Sequence, residues 1–74
     1  MVEIYYFEYQ YYDRRHYLKS RSIAKHNKLK AMEYYKELKL KMQNNEQGSP
    51  IELPHVTVIR NGEAKMVDAE NELV

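Results

Sequence analysis

Apolar and polar residues first alternate along the chain and then take up a helical rhythm, and that switch divides it into elements. Val2 to Tyr12 is dense in β-branched and aromatic residues and holds neither Gly nor Pro, which predicts a strand. Alternation sets Val2, Ile4, Tyr6 and Tyr12 on one face and Tyr5, Phe7, Tyr9 and Tyr11 on the other, so both faces carry bulk. Asp13-Arg14-Arg15 is a polar break where the chain reverses. His16 to Ile23 is the returning strand, with Tyr17, Lys19, Arg21 and Ile23 alternating with His16, Leu18, Ser20 and Ser22.

At ~100° per residue, Tyr35, Leu38 and Met42 fall within about 40° of Ala31, the spacing of one helix face. Tyr34 flanks this stripe, and Ala, Leu, Lys, Glu and Met dominate the stretch, all good helix formers. Asn27 is the preferred N-cap and Ser22 its rival, and the run ends at Asn44-Asn45 with Gly48 and Pro50 beyond as stop signals. Gln43 to Pro54 reads as a polar loop. Then His55 to Arg60, Asn61-Gly62 and Glu63 to Val67 form a hairpin, because Asn-Gly tolerates the positive φ of a type I′ turn. This register sets Val56 opposite Val67, Ile59 opposite Ala64, and Arg60 across from Glu63 as a closing ion pair. Asp68 to Val74 is expected to be a frayed acidic tail. The pattern as a whole predicts a single α+β domain over 1–74: a small antiparallel sheet with one long amphipathic helix packed on one face, in the order β-β-α-β-β.

Length sharpens this picture. A chain of 74 residues buries only about 60% of the surface it exposes when unfolded, so its core is marginal. With no cysteine it has no disulfide to help, and a partner subunit is one remedy such chains use. The missing cysteines fit a reducing compartment. No apolar run approaches the ~20 residues of a membrane span, and the N-terminus lacks a signal peptide's layout, so a cytoplasmic protein is expected.

Charge changes the picture once it is divided. The net value is +1, yet Met1 to Met42 holds ten Lys/Arg against five Asp/Glu, whereas Gln43 to Val74 holds two against six. Tyrosine is the other anomaly: of eight in the chain, six lie between Tyr5 and Tyr17.

An enzyme is not expected. His16, His26 and His55 have no metal-ligand spacing and read as surface or strand-end residues. The Glu70/Glu72 pair sits where no pocket raises a pKa. Gly48 and Gly62 are the only glycines, so there is no phosphate-cradling loop, and the serines have no nucleophile elbow. No catalytic, cofactor-binding or metal residue is assigned, and neither a small-molecule substrate nor a membrane is expected.

From Arg14 to Lys30 the chain carries seven cations and no acid. Arg14, Arg15, Lys19, Arg21, Lys25 and Lys28 are candidates for holding phosphates, and Tyr9, Tyr11 and Tyr17 for stacking on bases. The plainer alternative is a solvated lysine-rich face with tyrosines filling a small core. A second helical stripe, Leu29, Met32 and Leu40, is a candidate partner or dimer surface, against the reading of ordinary exposed leucines. The first strand adds a third clue. One helix covers one side of a sheet, so either Val2/Ile4/Tyr6 or Tyr5/Phe7/Tyr9/Tyr11 is left for a partner, with Tyr5 and Phe7 as candidates.

The run EYQYYDRRHYLKSRSIAKHNKLKAMEYYKELKLKM, about half the chain, has a strand–basic turn–strand–helix layout that resembles the arm-site DNA-binding domain of tyrosine integrases. That family has three strands before the helix and a Gly at the turn; this chain has two strands and no Gly there. The whole layout is also similar to small phage-encoded inhibitors of host machinery, including some anti-CRISPR proteins. The first likeness implies nucleic-acid binding; the second implies an inhibitor or adaptor bound to a host protein complex. The expected partner is therefore nucleic acid or a nucleic-acid-handling protein, with a homodimer as a further option.

Overall fold

The fold was established from a computed structural model that describes residues 2–74. Strands β1 (Glu3–Tyr12) and β2 (Leu18–Lys25) lead into helix α1 (Lys28–Gln43). Strands β3 (His55–Arg60) and β4 (Glu63–Val67) and a short helix α2 (Ala69–Glu72) complete it. The four strands form one antiparallel sheet in the order β2-β1-β3-β4, so β1 lies inside the sheet and β2 is an edge. The β-β-α-β-β order is as the pattern predicts, and α2 is an addition to it.

Local chemistry explains each boundary. The β1–β2 turn is held by Asp13, whose Oδ1 accepts from the amides of Arg15 and Tyr17, both at 2.9 Å. The His16 amide donates to the Asp13 carbonyl, and His16 then takes a left-handed φ of 64°. This is where glycine ordinarily sits in such a turn. Asn27 caps α1, its side-chain oxygen accepting from Lys30 N at 2.8 Å. In the second hairpin Asn61 and Gly62 have φ of 51° and 78°, and Val56–Val67, Ile59–Ala64 and Arg60–Glu63 stand in register as expected. The closing ion pair does not form. Arg60 instead bonds Glu3, its neighbour across β1, and Glu72 of α2 at 3.1 Å, because β1 pairs with β3 on its other side.

The core lies between the sheet and the helices. Tyr5, Phe7, Val56 and Val58 from the sheet meet Ala31 and Tyr35 from α1 and Ala69 and Leu73 from the C-terminal segment. Both helices therefore cover the face of Tyr5, Phe7 and Tyr9. Asp68–Val74 is not a frayed tail. Asp68 caps α2, Ala69 and Leu73 drop into the core at i, i+4 spacing, and the Tyr35 hydroxyl donates to Glu70 at 2.8 Å. Acidic residues read as tail chemistry here sit in the first turn of a helix, where the positive end of its dipole favours them.

The loop from Asn44 to Pro54 is tied down as well. Pro50 and Pro54 are buried, Ile51 N donates to the Gln10 carbonyl at 2.9 Å, and Gln47 Nε2 donates to the Tyr12 carbonyl at 3.3 Å. The far half of β1, which has no β3 residue beside it, is thus edged by this loop.

Candidate functional site

The basic candidates gather at one margin of the molecule. Arg14 and Arg15 are exposed in the β1–β2 turn. Lys19 and Arg21 alternate on the edge strand β2 opposite Tyr11 and Tyr9, and Lys25 ends the strand opposite Tyr5. Lys28 and Lys30 follow in the first turn of α1, which holds no acidic residue to balance them. Lysines there oppose the helix dipole, a placement that costs a few tenths of a kcal/mol or more for each charge.

What these cations do not do is informative. Among the described residues the ion pairs join Lys39 to Glu70, Lys41 to Glu37, and Arg60 to Glu3 and Glu72. Every one lies outside the Arg14–Lys30 segment. Four of the eleven acids are taken up in these pairs, and none of the acids pairs with the basic segment, which keeps its charge toward solvent. Lys28 is near enough to Glu3 to help lower its pKa, after the larger effect of the Arg60 hydrogen bond, but makes no direct pair.

Instead, the cations meet rings. The Arg21 guanidinium lies 4.9 Å from the centre of the Tyr11 ring and donates a long hydrogen bond, 3.4 Å, to the Tyr9 hydroxyl. Lys25 Nζ stands 4.8 Å over the Tyr34 ring, and Tyr34 packs edge-on against Phe7 at 5.0 Å. Each such contact is worth about 0.5–1 kcal/mol at an exposed site. More to the point, it holds a flexible cation in one place. The Tyr9 hydrogen bond, acting first, raises the Arg21 pKa. Burial raises that of the Tyr34 hydroxyl, which also lies 3.5 Å from the Tyr9 hydroxyl, so Tyr34 is uncharged in the physiological range.

The aromatic candidates divide. Tyr17 is 62% exposed and Tyr11 is partly so, and Tyr12 beside them is half exposed. Tyr9 is only 6% exposed, closed in by its contacts with Tyr34 and Tyr11, so its ring offers no stacking face. Tyr12 was not among the rings assigned to stack from the sequence. Its alternation with Tyr11 was the available signal, because the ring facing away from the helices had to be open.

Of the candidate partner residues, Tyr5 and Phe7 are corrected outright. Both have 0% exposure beneath the helices and form the centre of the core, where no partner meets them. Met32 packs against the core's rim, which leaves Leu29 and Leu40, both more than half exposed, without a third member to make a stripe. The uncovered surface is the opposite side of the sheet. There Ile4, Ile59 and Ala64 form one cross-strand row, and Ala24, Tyr6, Thr57 and Met66 form the next. Neither row contains a charge. Beyond them Glu8, Gln10, Ser20, Ser22 and His55 floor a groove of about 440 Å³ walled by Ile51 and Leu53.

No group of three or more His, Cys, Asp or Glu side chains among the described residues is placed to hold a metal ion, and no helix is long and apolar enough to cross a membrane. Compared with protein-family models, curated proteins and solved structures, the chain has no match in any of the three.

Proposed function

We propose that this is a small cytoplasmic binding module without catalytic activity, associated with nucleic acid through the margin formed by the β1–β2 turn, β2 and the start of α1. The observation that carries the reading is the unpaired state of seven cations, Arg14, Arg15, Lys19, Arg21, Lys25, Lys28 and Lys30, in a molecule whose other basic groups include three that pair with acids. Unpaired cations in a row repel one another and gain most from a polyanion, which releases its counterions as they bind. Lysines placed against the α1 dipole point the same way. α1 is taken as an amphipathic helix, with Ala31, Tyr35 and Leu38 turned to the core and its lysines left for solvent or ligand.

The test is a gel-shift or anisotropy titration at low salt. Binding at micromolar protein that weakens steeply as salt rises is the expected result. Replacing Arg14, Arg15 and Lys19 together by Ser, all exposed, should weaken binding at least ten-fold with the fold intact. No detectable binding to any nucleic acid would end the reading.

A second reading is favoured by the bare sheet face. Ile4, Tyr6, Ile59 and Met66 make an uncharged patch with no helix over it, as a protein-binding inhibitor or adaptor would need. Replacing Tyr6 and Met66 by Ser would then abolish capture of a protein partner while nucleic-acid binding, if present, stays. A homodimer through the same face is checked by light scattering, where a monomeric mass at high concentration excludes it.

A further inference from the structure

We infer that the nucleic acid held by this module is single-stranded, with its backbone running along the outer edge of β2. The inference rests on the nucleic-acid reading above and adds the form of the ligand.

The cations follow one line. Lys19 and Arg21 share the helix-side face of β2, about 7 Å apart, and Lys25 lies about 13 Å further along the same strand. Arg21 and Lys25 are each steadied over a tyrosine ring, so the charges wait in place and less side-chain entropy is lost when a phosphate arrives. A single row of this kind tracks a single phosphate chain.

A duplex asks for something else. A two-stranded ribbon entering the major groove has phosphates on both of its flanks. Here only the β2 flank is basic. The other flank, along the far half of β1, is closed by the loop that bonds the Gln10 and Tyr12 carbonyls, and that loop carries Glu46 and Glu52. The hairpin is therefore not a free two-sided ribbon, and its second flank would meet phosphates with acidic residues.

An exposed ring agrees with this geometry. Tyr17, 62% exposed, stands in the turn just beyond Lys19 at the end of the cation row, whereas Tyr12 opens on the opposite face of the sheet. Bases inside a duplex already stack on one another, whereas unpaired bases are free to stack on an aromatic side chain.

The experiment measures binding of the whole protein to labelled single-stranded DNA and RNA homopolymers of about 12 nucleotides, to duplexes of the same length, and to a poly-glutamate peptide. Each is read by anisotropy and by tyrosine fluorescence, across a salt series. The expected result is single strands bound at least ten-fold more tightly than duplex, with tyrosine emission quenched. The slope of log K on log salt should lie between about −2 and −3.5, the value for three to five phosphates on a single strand. Preference between DNA and RNA then tells which of the two sources supplies the strand. Tyr17→Ala, at an exposed position that leaves the fold alone, should weaken the single strand about ten-fold or more and the duplex much less. Duplex bound as tightly as single strand overturns this inference and leaves nucleic-acid binding standing. Poly-glutamate bound as tightly as the oligonucleotides overturns it too, since charge alone would then suffice. Absence of binding to every nucleic acid overturns both.

Discussion

Two individual residues carry a local cost, and each makes a prediction. The Tyr5 hydroxyl is buried beside the Glu3–Arg60 pair, near enough to favour both charges, yet it makes no hydrogen bond of normal geometry. An unpaired buried hydroxyl costs about 1–3 kcal/mol, so Tyr5→Phe should leave stability unchanged or raise it in urea unfolding; a clear loss would show that the hydroxyl is bonded. His16 holds a left-handed backbone that favours glycine. His16→Gly should therefore stabilise the turn by about 1 kcal/mol, measured as a higher urea midpoint. Position 16 also shows what a sequence conceals at this scale. No glycine marks the turn, and the left-handed residue is legible only after Asp13 is seen to accept from two amides. Tyr5 and Phe7 were misplaced for a different reason. Alternation separates two faces of a strand without saying which one the helices will cover, and that choice is made by packing.

Among the elements, the second hairpin was fully readable because Asn-Gly fixes both the turn and the register. The N-cap of α1 was readable too, since Asn27 precedes the first periodic residue by the right interval. The C-terminal helix was not. It is one turn long, its composition is acidic, and the only signals for it were the Asp68 cap and the Ala69/Leu73 spacing. The ion pair expected at Arg60–Glu63 failed because pairing of β1 with β3 is a long-range choice, and it brings Glu3 to the same guanidinium.

Docking of α2 is the element-scale prediction. Leu73 is completely buried, so Leu73→Ala should destabilise the protein by about 3 kcal/mol in chemical unfolding. Its polar anchor should respond to pH. The hydrogen bond from Tyr35, and then that from Lys39, hold the Glu70 carboxyl below its ordinary 4.5. That contribution is present above pH 4.5 and is lost as pH falls through the lowered value. At the other end, burial and then the Glu70 bond push the Tyr35 hydroxyl up to about 12. Stability held by the neutral hydroxyl is accordingly lost as pH rises from 10 toward 12. Amide exchange in α2 should quicken at both extremes, and Glu70→Gln should flatten the acid limb; an unchanged limb would mean that Glu70 does not anchor the helix.

For the whole molecule, the division of charge along the chain was plain in the sequence, but its meaning was not. Composition could not say whether the cations of the first half would neutralise the acids of the second. The fold keeps most of them apart: Glu70 takes Lys39, Glu3 and Glu72 take Arg60, and the Arg14–Lys30 segment is left over. Likewise, the argument that one sheet face must lie bare followed from the element count, whereas its position behind Ile4 and Tyr6 did not. The outer strand has one more effect, on how the purified protein keeps. β2 is a long edge with an unused row of backbone donors and acceptors, the kind of border along which copies zip into aggregates. Lys19, Arg21 and Lys25 stand guard over it, because two such borders laid antiparallel bring like charges together. At 1 M salt the reach of those charges shrinks to about 3 Å. Concentrated stocks should accordingly stay clear in dilute buffer and turn turbid in brine, the reverse of the remedy usually tried for a basic protein.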